Sequence, residues 1–180
     1  MGQDKALLPH PQGGTWLEHS LMRLEKLGAP VTLLSRHRQH LALAEALASP
    51  LITASAEPPP WEGPLLALAR LMQNHPDQRL LLCPVDMPDL SLASLQQLLA
   101  VAATEPVAIH LAHDGRRLQP LLGLYPGDLE RRTSLAACLD QGERRLQSWL
   151  ATQPCRPVLL PAAALRNVNR AADLNPAAIA

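Results

Sequence analysis

Leu17, Leu21, Leu24 and Leu27 recur at helical spacing behind Thr15 and Glu18, a capping-box pair. Gly28 follows as the residue best suited to a left-handed stop, so both ends of this predicted helix are marked. After Pro30 the pattern changes to the unbroken run VTLLS, which predicts a buried strand. HLALAEALA reads as a second helix halted before Pro50, and LIT as a short strand. The three prolines of SAEPPPW cannot donate to a ladder, so that stretch is expected to be irregular. Gly63 and Pro64 suit the N-cap and first positions of a helix carrying LLALARLM. RLLLCPVDMP opens as a continuous apolar run, the mark of a strand covered on both faces. It breaks at Pro84, with Asp86 just beyond.

The alternation continues. SLASLQQLLAVAA predicts a helix, VAIHLA a strand, HDGR a hairpin turn and LQPLLGLY the returning strand. A helix is expected from Asp128 to Leu139, ending near Gly142. RRLQSWLAT is another helix, PVLLP another strand, and NVNRAADL opens a final helix. Strands alternating with helices argue for an α/β fold with a mainly parallel sheet, in which ligands bind at the carboxyl ends of strands. With no repeat and no shift in composition, residues 1–180 read as a single domain.

Composition narrows the classes of partner. Lys plus Arg and Asp plus Glu are sixteen each, so no net field gathers nucleic acid or an anionic membrane. No apolar run approaches the roughly 20 residues of a membrane span, and the start lacks the order of a signal peptide. Cys83, Cys138 and Cys155 are widely spaced with no CxxC, which suits reduced thiols of a cytoplasmic protein. Phe is absent and Tyr occurs once, so the core must pack Ala between aliphatic side chains.

Asp86 is the first candidate for chemistry. It follows an apolar strand in a loop stiffened by Pro84 and Pro88, where it is either a magnesium ligand or a helix cap in competition with Ser91. Lys5, beside Gly2 and Asp4, is a surface lysine or a phosphate clamp. GERR, Gly142 to Arg145, offers Arg forks for a phosphate or forms a solvated helix junction. Asn167 and Asn169 present amides to a ligand or cap the last helix. His37, His40, His110 and His113 lack zinc-site spacing, and no GxSxG elbow supports a serine hydrolase.

Taken in order, MGQDKALL, EGPLLAL, LLLCPVDMP, LQPLLGLY, GERRLQSWL and NVNRAADL resemble the molybdenum cofactor guanylyltransferases, over nearly the whole chain. The resemblance implies a three-layer α/β/α Rossmann-like nucleotidyltransferase fold. It also implies transfer of GMP from GTP to the phosphate of molybdopterin, with Mg²⁺ as cofactor. On that resemblance Lys5 contacts nucleotide phosphate, and Asp86 binds guanine nucleotide and Mg²⁺. Glu57 is the nearest match to an acidic nucleotide contact upstream of the GPL segment, offset by a residue. Arg144 and Arg145 would help hold the pterin, and Asn167 and Asn169 would line the site.

The start departs from the family pattern. Family members open with a strand and a glycine-rich loop of the form LAGGxSxR before the Met-Gly-x-Asp-Lys, whereas this sequence begins at that methionine. The first strand and the loop that wraps backbone N–H groups around phosphates are therefore expected to be missing. Two rivals stand beside the guanylyl reading. One is a nucleotidyltransferase using CTP or a sugar phosphate. The other is a non-catalytic relative that binds nucleotide or cofactor and partners cofactor-assembly proteins or molybdoenzymes.

Overall fold

Residues 4–167 are described by the structure, a computed structural model. The chain divides into two units. The first is built from the chain up to Glu57, from Val85–Ser94 and from the segment starting at Ala163. The second comprises Pro58–Pro84 and Leu95–Ala162.

In the first unit a single 3₁₀ turn, Lys5–Leu7, leads to α1 (Trp16–Glu25). The capping box closes as expected: Glu18 N–H donates to Thr15 Oγ1 at 3.3 Å, and Thr15 N–H donates to Glu18 Oε2 at 2.6 Å. Gly28 takes φ 72°, the left-handed geometry assigned to it. Then come β1 (Val31–Ser35), α2 (Arg38–Ala46) and β2 (Ile52–Ala56). β1 and β2 pair in parallel from Val31↔Ile52 to Ser35↔Ala56, so Ser35 and Ala56 mark the carboxyl end of this small sheet. Ala6, Leu17, Leu21, Val31 and Ala44 form its core, with Val85 packed against them.

The second unit holds α3 (Pro64–Asn74), with Gly63 as N-cap at φ 92° and Pro64 in the first turn. β3 (Arg79–Leu82) follows, and then α4 (Leu92–Ala102), which belongs to this unit from Leu95 onward. The remaining elements are β4 (Ile109–His113), β5 (Leu118–Pro126), α5 (Leu129–Asp140), α6 (Leu146–Leu150) and β6 (Cys155–Leu159). A 3₁₀ turn, Ala162–Leu165, ends the described elements. The sheet order is β3-β5-β4-β6. β5 is antiparallel to both neighbours and β4 is parallel to β6, so β3, β4 and β6 share one direction. Leu65, Leu68, Met72, Ile109, Leu111 and Trp149 form the core of this unit.

Two details differ from the sequence reading. β3 is not covered on both faces: Arg79 is exposed and Leu80 to Leu82 are half-buried. The reason is its place at the sheet's edge, where among the described residues it pairs only with β5. The returning strand β5 is also irregular, because Leu111 pairs with Gly123 while Ala112 pairs with Gln119. Residues 120–122 thus stand outside the ladder, which suits Pro120, a residue with no N–H to donate. The Tyr125 hydroxyl donates to the Pro120 carbonyl and ties the bulge down. Among the described residues no helix is long and apolar enough to cross a membrane.

Candidate active site

The 3₁₀ turn that carries Lys5 is fixed at both ends. Asp4 is its N-cap, with Oδ1 accepting from Ala6 N–H at 3.1 Å, and Ala6 and Leu8 are both 4% exposed. Trp16 N–H donates to the Leu8 carbonyl at 3.1 Å, which ties the turn to the start of α1. Asp86 sits in a loop held by Val85 in the core of the first unit and by the buried side chains of Met87 and Leu90. From these two frames Lys5 Nζ donates to Asp86 Oδ2 at 3.4 Å, with both side chains about a third exposed. Lys5 and Asp86 line a small cleft with Leu8, Trp16, Val85 and Pro88.

The alternative of Asp86 as a helix cap is resolved. Ser94 N–H donates to Ser91 Oγ at 3.1 Å, so Ser91 takes the capping position and leaves the Asp86 carboxylate to Lys5. Nearby, Arg166 Nε and Nη2 donate to Asp89 Oδ2 at 3.0 and 2.8 Å. That pair joins the segment bearing Asn167 to the loop bearing Asp86. Asn167 Oδ1 is buried without a hydrogen-bond partner among the described residues. Asn169 lies outside the described residues, as does the helix predicted to follow it.

Glu57 follows β2 at the carboxyl end of the small sheet, and its N–H donates to the Ser35 carbonyl at 2.9 Å. Arg144 and Arg145 belong to the second unit. The Arg144 guanidinium is committed locally: Nε donates to Glu62 Oε2, and Nη1 to the carbonyls of Leu139 and Glu143, each at 2.9 Å. Arg145 is 81% exposed at its side chain, with Nε 3.4 Å from Glu143 Oε1. Glu143 accepts from the backbone N–H groups of Arg145 and Arg144, each at 2.8 Å. The Arg145 N–H chief among these donors, followed by the Ser148 hydroxyl, the Arg145 side chain and the Arg144 N–H, holds the Glu143 carboxyl down to about 2.

Two groups beside Lys5 carry no sequence signal. Trp16, 6% exposed, lines the cleft, and its indole N–H is buried without a partner among the described residues. His40 Nε2 meets Asp4 Oδ2 at 2.8 Å, and His40 Nδ1 meets Ser35 Oγ at 3.0 Å. A lone histidine on a helix gives no hint of these partners, because they come from the chain's start and from a strand end.

The arrangement suits an anionic ligand that brings its own cation. Lys5 supplies a positive charge, and Asp86 supplies hard carboxylate oxygens in the same cleft. No group of three or more His, Cys, Asp or Glu side chains is placed to hold a metal among the described residues. Mg²⁺ fits such a site, because that ion keeps several waters and binds through one or two carboxylates together with substrate phosphates.

The MobA-like NTP transferase domain family matches residues 1–173. The chain is 37% identical to a probable molybdenum cofactor guanylyltransferase of Rhodopirellula baltica, over 98% of this chain and 84% of that protein. It is 31% identical to the molybdenum cofactor guanylyltransferase of Shewanella woodyi, over 86% of this chain and 75% of that one. The crystal structure of molybdopterin-guanine dinucleotide biosynthesis protein A from Archaeoglobus fulgidus superposes with a TM-score of 0.71 at 15% identity, covering 96% of this chain and 88% of that one. A 4-diphosphocytidyl-2C-methyl-D-erythritol synthase superposes with a TM-score of 0.69 at 14% identity, covering 96% and 90%. These likenesses establish the α/β Rossmann-like nucleotidyltransferase fold expected from the sequence.

Proposed function

The chain belongs to the MobA-like NTP transferase domain family, and from that premise we propose that it is a molybdenum cofactor guanylyltransferase, moving GMP from GTP to the phosphate of molybdopterin. The observation that carries the reading is the meeting of Lys5 and Asp86 in one cleft from opposite ends of an 81-residue separation. It is supported by relatives of that name at 37% and 31% identity over most of the chain.

In the reaction an oxygen of the pterin phosphate attacks the α-phosphorus of GTP in line. A new P–O–P bond forms as the bond to the β-phosphate oxygen breaks, and pyrophosphate leaves with that electron pair. Lys5 binds phosphate oxygens and offsets charge that grows on them in the transition state. Asp86 is the residue that would hold Mg²⁺, which when bound supplies Lewis-acid stabilisation of phosphate charge. The 3₁₀ turn and the Pro-flanked loop keep both side chains oriented, so catalysis is positioning and electrostatics, with no covalent nucleophile required.

The test is turnover with GTP, CTP or ATP in competition, in the presence of molybdopterin and Mg²⁺. Pyrophosphate release and the mass of the dinucleotide product are followed together. GTP is expected to be consumed selectively. A clear preference for CTP would move the protein to a cytidylyl transferase, and nucleotide binding without product would leave a non-catalytic relative.

A further inference from the structure

Asp4 and Lys5 are adjacent and opposite in charge, yet they bond in different directions. Lys5 reaches Asp86, whereas Asp4 divides its carboxylate between two partners. Oδ1 caps the 3₁₀ turn through Ala6 N–H at 3.1 Å, and Oδ2 is 2.8 Å from His40 Nε2. A carboxylate only accepts, so the proton of this bond is on Nε2 and His40 donates. The other ring nitrogen lies 3.0 Å from Ser35 Oγ at the end of β1. Ser35 Oγ also accepts from His37 N–H, the N-cap of α2, at 3.1 Å.

This Asp-His-Ser array is not a nucleophile relay. Ser35 is 7% exposed, and its oxygen is tied both to His40 and to the α2 N-terminus. The array is a strut that runs from the strand end through the imidazole to the cap of the turn bearing Lys5. A three-residue turn has only two internal bonds, Leu7 N–H to the Asp4 carbonyl and Leu8 N–H to the Lys5 carbonyl, each at 3.2 Å. Its orientation therefore depends on external anchors. His40 at 9% exposure and Ala6 at 4% are such anchors, one polar and one apolar.

We propose that His40 is a positioning residue for Lys5, acting through Asp4 to aim the lysine into the nucleotide cleft. The consequence for nucleotide binding rests on the proposed function, whereas the effect on Lys5 itself does not.

The test contrasts His40→Asn with His40→Gln. The Asn amide reaches as far as Nδ1 and keeps the Ser35 bond, but is too short for Asp4. The Gln amide extends to the Nε2 position and keeps the donor to Asp4. Lys5 and Lys26 are the only lysines in the chain, and Lys26 is exposed at the end of α1. Reductive methylation with ¹³C-formaldehyde therefore gives one lysine reporter signal and one lysine control, beside the separate signal of the terminal α-amine. His40→Asn is expected to move the Lys5 signal towards that of Lys26 and to weaken GTP–Mg²⁺ binding about tenfold, the scale of one hydrogen bond to a charged group. His40→Gln is expected to restore both, and His40→Asn is expected to add no further loss of GTP affinity to Lys5→Ala. A Lys5 signal that is unmoved in His40→Asn would overturn the proposal. So would an undiminished His40→Asn effect on binding in the Lys5→Ala background. A Lys5 signal that moves while Lys5→Ala binds GTP normally would uphold the positioning role and overturn the phosphate role of Lys5.

Discussion

Replacing Asp86 by Asn separates fold from chemistry, because the change keeps shape and removes charge. The Lys5–Asp86 attraction at 3.4 Å is about 1 kcal/mol in water and about 5 kcal/mol at an effective dielectric of 20. With side chains 36% and 29% exposed, solvent screening and side-chain entropy bring the net contribution to about 1 kcal/mol or less. That corresponds to a fall in Tm of about 2–4 °C for a chain of this size. Transfer should fall far more, by about 100-fold or beyond, as when a single electrostatic stabiliser is removed from a transition state. The assay pairs thermal unfolding with pyrophosphate release across a Mg²⁺ titration. Unchanged Mg²⁺-dependent turnover in Asp86→Asn would refute the metal assignment. A large fall in Tm with activity lost only in proportion would show that Asp86 is a structural partner of Lys5 and no more.

Two further predictions concern the second unit. A Cβ at Gly123 would lie 2.6 Å from the His110 carbonyl and 2.7 Å from Leu111 Cδ2, so Gly123→Ala should destabilise by about 1–3 kcal/mol in urea unfolding; a change within about 0.5 kcal/mol would mean that the paired strand yields freely. Glu143, held down to about 2, contributes stability that is present above its ordinary value of 4.5 and lost as pH falls through about 2, because the unfolded chain takes up the proton first. Glu143→Gln should therefore flatten the dependence of the urea midpoint on pH across that window, and parallel curves for the two proteins would refute the role of the GERR turn.

What the sequence disclosed was local. The Thr15–Glu18 box, the Gly28 stop and the Gly63–Pro64 start each act within a turn of helix, so their signals survive without tertiary context. β3 misled because an apolar run reports hydrophobicity, not the number of neighbours, and Leu80 to Leu82 lie in an edge strand. The bulge at residues 120–122 was hidden for a similar reason: Pro120 forbids one donor but does not say how the ladder re-forms around it. Lys5 and Asp86 were each visible as candidates, whereas their meeting was tertiary. Arg144, which the motif offered to a substrate, also bonds the Glu62 carboxylate and two carbonyls, contacts that no spacing rule foretells.

The neighbouring charges of Asp4 and Lys5 would be of little use if they quenched each other. Side chains one position apart on a helical turn do not face each other, and here the divergence is reinforced, since Asp4 is held by Ala6 N–H and His40. Lys5 pairs with a partner that is weakly held, the partly exposed Asp86. Separating that pair costs about 1 kcal/mol or less, well below what a lysine gains from a polyphosphate whose charges lie at contact distance. Under the proposed function the ion pair keeps both charges satisfied until the nucleotide enters, and then yields. Lys5 then turns to phosphate and frees the Asp86 oxygens. A fully buried pair could not exchange partners so cheaply, and a fully exposed one would not be aimed.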